Sequence, residues 1–135
     1  MKKVTILLAD DHPHFPELTR KLLEPAFAVV GSVSNGQSLV EESLNTKPDI
    51  IITDISMPLL NGIEAVDRLK QLGSTSKVIF LTVHSDPDFV RSCFATGASA
   101  YVIKPQVATE LLSAIYEALV GRTFVSPSLS CTSQT

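Results

Sequence analysis

The sequence predicts an α/β domain in which a parallel sheet is covered by helices on both faces, and three observations predict it. Five short runs, at 5–9, 28–33, 50–53, 78–81 and 100–103, are mostly continuously apolar rather than alternating, the pattern of strands buried on both sides. Between and after them lie stretches whose apolar residues recur at helical spacing, each a one-sided stripe suited to covering a sheet. Turn formers fall where one pattern gives way to the other: Asn35-Gly36, Asn61-Gly62, Gly73-Ser74 and Gly97. Five strands alternating with five helices make a doubly wound sheet, because right-handed crossovers place the helices on both faces.

Taken in order, "TILLA" is the first strand, and the stripe Phe15, Leu18, Leu22 follows it, with Pro16 suited to the helix's first turn. "AVVGSV" leads to Leu39, Val40 and Leu44, and "IIIT" leads to Ile63, Val66 and Leu69. "VIFL" precedes Val90, Cys93 and Phe94, and "AYVI" precedes Leu112, Ile115 and Leu119. From Gly121, "GRTFVSPSLSCTSQT" turns rich in Ser and Thr and loses periodicity, so residues 1–122 read as one domain and 123–135 as a tail or the start of a linker.

Composition bounds the function. With 135 residues, 44% of them hydrophobic and 19% charged, the chain is an ordinary globular domain able to build a real core. A net charge of −3 argues against direct contact with nucleic acid, which needs clustered Lys and Arg. Cys93 and Cys131 are too few and too far apart for a disulfide framework or a zinc site, and read as one buried thiol and one tail thiol. Lys2 and Lys3 precede an apolar stretch too short for a secretion signal, and no stretch nears the roughly 20 apolar residues of a membrane span. The expected location is the cytoplasm.

The chemistry lies in what ends each strand. "ILLADD" closes on Asp10 and Asp11, "IIITD" on Asp54, "IFLT" on Thr82 and "YVIK" on Lys104. In a parallel sheet the carboxyl ends share one edge, where open α/β folds bind ligands. Three carboxylates, a hydroxyl and an ammonium therefore converge. Lining up three carboxylates is costly unless a hard divalent ion joins them, and Mg²⁺ is the expected cofactor. Each residue alone has a plainer explanation: Asp11 as a helix cap, Thr82 as strand packing, Lys104 as a surface charge. Their joint appearance at the same end of strands 1, 3, 4 and 5 is the specific signal. His12 and His14 read as exposed loop histidines rather than metal ligands.

"LLADDHP", "IIITDISMP", "NGIEA", "IFLTVHS" and "GASAYVIKP", over about residues 4–122, resemble response-regulator receiver domains of two-component signalling. The resemblance implies a flavodoxin-like (βα)₅ fold with a five-stranded sheet in the order 2-1-3-4-5, an order that sets the topological switch point between strands 1 and 3. It implies that Asp54 accepts a phosphoryl group from a histidine kinase's phosphohistidine. Asp11 would bind Mg²⁺ directly, Asp10 through water, and Ser56 through its backbone carbonyl. Thr82 and Lys104 would hold the phosphoryl oxygens, and Tyr101 would be the aromatic switch on the surface of helix 4, strand 5 and helix 5. Pro105 would follow Lys104 through a cis peptide bond. Ser56 and His84 occupy positions at which the family tunes dephosphorylation.

"ADDHP" and "GRTFVSPSL" are most similar to receivers of LuxR/NarL-type transcriptional regulators. That likeness implies a sensor histidine kinase as partner, possible homodimerisation on phosphorylation, and DNA contact only through an output domain absent here. Two other readings compete with a non-enzymatic phosphoacceptor. An aspartyl-phosphate phosphatase is disfavoured because Ser56 stands where such enzymes place a second Asp. A phosphorylation-independent interaction module is disfavoured by the complete set Asp10, Asp11, Asp54, Thr82 and Lys104.

Overall fold

The computed structural model describes residues 3–130 and holds a six-stranded parallel sheet in the order β2-β1-β3-β4-β5-β6. Its strands are β1 (Thr5–Ala9), β2 (Ala28–Val33), β3 (Ile50–Thr53), β4 (Lys77–Thr82), β5 (Ala100–Ile103) and β6 (Phe124–Val125). The helices are α1 (Phe15–Leu23), α2 (Gly36–Thr46), α3 (Gly62–Gln71), α4 (Pro87–Ala95), α5 (Val107–Leu119) and the short α6 (Pro127–Ser130). The five expected strands and five expected helices are all present, in the expected order.

Alternation along each strand sends side chains into two cores. Ile6, Leu8, Ile50, Ile52, Ile79, Leu81 and Val102 pack with Leu23 of α1 and with Leu111, Ala114, Ile115 and Ala118 of α5. Leu7, Ala9, Ile51, Val78, Phe80 and Tyr101 face the other way, against Leu39 and Val40 of α2, Ala65, Val66 and Leu69 of α3, and Cys93 of α4. Burial on both faces explains the continuous apolar runs. The edge strand β2 is only half covered, and its Val30 is exposed.

Two features differ from expectation. A sixth strand extends the five-stranded sheet: Phe124 and Val125 pair with Ala100 and Tyr101, and Ser126 N–H donates to the Tyr101 carbonyl. A two-residue strand is too short for any periodicity to show. The buried Ser126 also accepts from Ile103 N–H and donates to Glu110, tying this segment to β5 and α5. The other difference is Pro105. Its peptide bond with Lys104 is trans, and the cis bond lies at Glu24-Pro25 instead. Here β5 runs straight into a single 3₁₀ turn, Lys104–Gln106, closed by Val107 N–H donating to the Lys104 carbonyl. From that turn the lysine side chain already reaches the carboxylates, so no reversal of the peptide is required. Cys93 is fully buried as expected, whereas Cys131 lies outside the described residues.

Candidate functional site

Chain geometry at the carboxyl edge brings Asp10 and Asp54 together. Asp10 N–H donates to the Val33 carbonyl and Asp54 N–H to the Ala9 carbonyl, so each aspartate prolongs the sheet ladder by one residue. Both carboxylates are therefore held at the strand mouth and buried, while Asp11, one residue further on, stays exposed. The start of α3 closes over Asp54. Asn61 caps that helix by accepting from Glu64 N–H, with Glu64 reaching back to Asn61 N–H. Gly62 must lack a side chain, because a Cβ there would sit 1.9 Å from the Asp54 carbonyl oxygen.

Lys104 enters from β5 and is 6% exposed. Its ammonium lies 2.9 Å from Asp54 Oδ2 and 2.7 Å from Asp10 Oδ2, and 4.6 Å above the Phe15 ring. Asp54 Oδ1 accepts from Ile55 N–H at 2.6 Å, so both oxygens of this buried carboxylate are engaged. Charge-assisted contacts of this kind keep a buried carboxylate ionised and fixed.

Thr82 ends β4 fully buried, and its Oγ1 accepts from His84 N–H at 3.3 Å. Tyr101 is fully buried on β5 and donates its hydroxyl to the His84 carbonyl at 2.8 Å. Burial, with smaller contributions from Cys93, Asp54 and Asp86, holds the Tyr101 phenol well above its ordinary value, so it is a neutral donor. The backbone of one residue, His84, thus joins Thr82 to Tyr101. Its ring bonds Ser56 Oγ at 2.8 Å and stacks on Phe89 with centroids 4.6 Å apart, bridging the loops after β3 and β4.

Asp10, Asp11, Asp54, Thr82 and Lys104 all stand at the carboxyl edge as the strand ends required, with Ser56 two residues beyond Asp54. His14 is an exposed loop residue as expected. His12 differs: although its side chain is half exposed, Nδ1 lies 2.7 Å from Asp10 Oδ1, 3.5 Å from Asp54 Oδ2 and 2.9 Å from Lys104 Nζ. Its position directly after the acidic pair was the available signal. No sequence signal placed Phe15 beneath Lys104.

Asp10, Asp11, His12 and Asp54 each offer a ligand atom within 4.8 Å of the others. Three carboxylates on one rim are a donor set that suits a hard divalent cation. Among the described residues no helix is long and apolar enough to cross a membrane.

Comparison with known proteins agrees with this architecture. The family model of the response regulator receiver domain matches residues 6–116. The transcriptional regulatory protein DegU of Brevibacillus brevis is 35% identical over 130 residues, covering 95% of this chain and 55% of the relative. The nitrate/nitrite response regulator protein NarL of Escherichia coli K12 is 32% identical over 128 residues, covering 93% of this chain and 59% of the relative. The chain therefore spans less than two thirds of these relatives. A crystal structure of a LuxR-family two-component response regulator from Aurantimonas sp. SI85-9A1 superposes with a TM-score of 0.89 at 33% identity, covering 96% of this chain and 94% of that one.

Proposed function

Because the chain belongs to the response regulator receiver domain family, we propose that it accepts a phosphoryl group on Asp54 from a sensor histidine kinase, with Mg²⁺ as cofactor. The observation that carries this reading is the buried Asp54 carboxylate, set between the Lys104 ammonium and the acidic pair at the β1–β3 mouth. In the transfer an Asp54 oxygen attacks phosphorus in line while the P–N bond of the phosphohistidine breaks, its electron pair leaving on the imidazole nitrogen. Lys104 is placed to bind one phosphoryl oxygen, and the Thr82 hydroxyl, at the end of the neighbouring strand, to bind another.

Asp11 and Asp54 would hold the ion directly, with the Ser56 carbonyl, and Asp10 through water. When bound, the ion supplies neutralisation of the charge gathered on carboxylate and phosphoryl oxygens. Once Thr82 Oγ1 turns toward the phosphoryl group, it no longer accepts from His84 N–H. The peptide whose carbonyl receives the Tyr101 hydroxyl is then free to shift, which carries the change to the surface of α4, β5 and α5.

The chain acts as a phosphoacceptor rather than an enzyme with turnover, and its place is the cytoplasm. Residues 1–122 form the receiver unit and 123–135 lead toward an output domain. By analogy with DegU and NarL, that output would be transcriptional, through a DNA-binding helix-turn-helix and with homodimerisation on phosphorylation. Incubation with Mg²⁺ and a small phosphodonor should add the mass of one phosphate to the wild type and none to Asp54→Asn. No gain in the wild type from either a small donor or a histidine kinase would overturn the assignment.

A further inference from the structure

We infer that His12 is a nitrogen ligand for the divalent ion, so the site ranks late first-row transition ions further above Mg²⁺ than an all-oxygen site would. The inference rests on the phosphoacceptor reading above and adds a donor to it.

Three observations carry it. Nδ1 of His12 stands 2.7 Å from Asp10 Oδ1, 3.5 Å from Asp54 Oδ2 and 3.7 Å from Asp11 Oδ1. An octahedral ion with bonds of about 2.1 Å sets adjacent donors about 3 Å apart, and these separations bracket that edge. The ring is also held in place by its own backbone, since Asp10 Oδ1 accepts from His12 N–H at 2.9 Å and fixes the turn that carries it. Finally, the ring nitrogen has conflicting neighbours. It cannot accept from Lys104 Nζ at 2.9 Å and donate to Asp10 Oδ1 at 2.7 Å at once. A cation settles the conflict by taking the Nδ1 lone pair and the carboxylate oxygens together, leaving Lys104 to Asp54. Imidazole favours cobalt and nickel over magnesium, and affinity for a nitrogen-bearing site rises from Mn²⁺ to Ni²⁺.

Mn²⁺ bound to the whole chain should show nitrogen-14 modulation in its electron spin echo, and His12→Ala should abolish it. In calorimetric titrations, His12→Ala should weaken Co²⁺ by about tenfold or more and change Mg²⁺ by less than about threefold. Mn²⁺ binding without nitrogen modulation, an unchanged Co²⁺-to-Mg²⁺ ratio, or tighter binding of all three ions in His12→Ala would each overturn the inference. Tighter binding would mean that the imidazole competes with the ion. Asp11→Asn separates the two levels of the argument: if it leaves Mn²⁺ affinity intact, the ion site itself is misassigned and both fall. Thermal unfolding of His12→Ala at the wild-type midpoint in chelator shows that the variant is folded.

Discussion

Asp11→Asn should stabilise the ion-free fold while weakening the ion site. Asp11 is exposed, and its one close side-chain ion-pair contact among the described residues is with His12 Nδ1 at 3.7 Å, beyond hydrogen-bond range. The substitution therefore removes charge and almost no bonding. Ligand atoms of Asp10 and Asp54 lie within 4.8 Å of an Asp11 oxygen. At that separation each repulsion is worth about 0.9 kcal/mol even at the dielectric of water. Lys104 sits 2.7 Å and 2.9 Å from those same two carboxylates and returns about one such pair as attraction. The net gain is about 1 kcal/mol, which for a chain of this size shifts a urea midpoint by about 0.5 M.

Ions reverse the order. At an Mg²⁺ concentration about a hundredfold above the wild-type Kd, the wild type gains about 2.7 kcal/mol, and a variant binding about a hundredfold more weakly gains about 0.4. Urea titrations in chelator and in Mg²⁺ should thus cross, with Asp11→Asn the more stable in the first and the less stable in the second. High salt should narrow the gap in chelator. A variant less stable than wild type without ions would refute the repulsion argument. A gap of the same size in Mg²⁺ would remove Asp11 from the ligand set.

Lys104→Gln should move stability the other way, since it leaves Asp10 and Asp54 without their ammonium; a loss of roughly 2–3 kcal/mol is expected in the same urea titration, somewhat under the figure for a fully enclosed pair. Gly62→Ala should cost roughly 2–3 kcal/mol and slow phosphorylation of Asp54, because its Cβ would overlap the Asp54 carbonyl and push α3 from the site. The phosphorylation rate and the unfolding midpoint should fall together. Alkali supplies a fourth test. Burial pushes the Cys93 thiol up to about 12, so the folded state keeps a proton that the unfolded state gives up earlier. That contribution is present below the ordinary thiol range and is lost as pH rises toward the folded value, with the Tyr101 phenol acting in the same direction. Cys93→Ala should flatten the fall of the urea midpoint between about pH 9 and about pH 11 relative to wild type; an equally steep fall would exclude the thiol.

The strands and the site's membership were legible because both rest on local sequence. An apolar run buried on both faces is written in consecutive residues, and a strand's last residue marks a point on the sheet edge. Asp10, Asp54, Thr82 and Lys104 could be brought together with no knowledge of side-chain paths. Phe124 and Val125 could not be read as a strand, since their pairing depends on how α5 returns to β5. Lys104-Pro105 was expected to be cis from family likeness, yet its isomer is set by how β5 enters the following turn. Likewise, residue type made His12 a loop histidine; only the tight turn after Asp10 carries its ring over the carboxylates. What escaped the sequence in each case was a direction in space rather than a position along the chain.

The ligand-free site is already internally satisfied. Among the described residues, no buried side-chain nitrogen or oxygen lacks a partner. Lys104 neutralises Asp54, His12 lies against the cluster where an ion would share the carboxylates, and His84 N–H occupies the Thr82 hydroxyl. Ion binding and phosphorylation therefore exchange partners rather than fill vacancies. An exchange of one hydrogen bond for another has a small net free energy, because each bond contributes only about 1 kcal/mol over its alternative. A switch built this way sits close to balance between its two arrangements, and a modest difference in the phosphoryl group's affinity for them is enough to move the population. The same near-balance explains why the site can carry three carboxylates at all: their repulsion is held in check by Lys104, and what is left over becomes affinity for the ion.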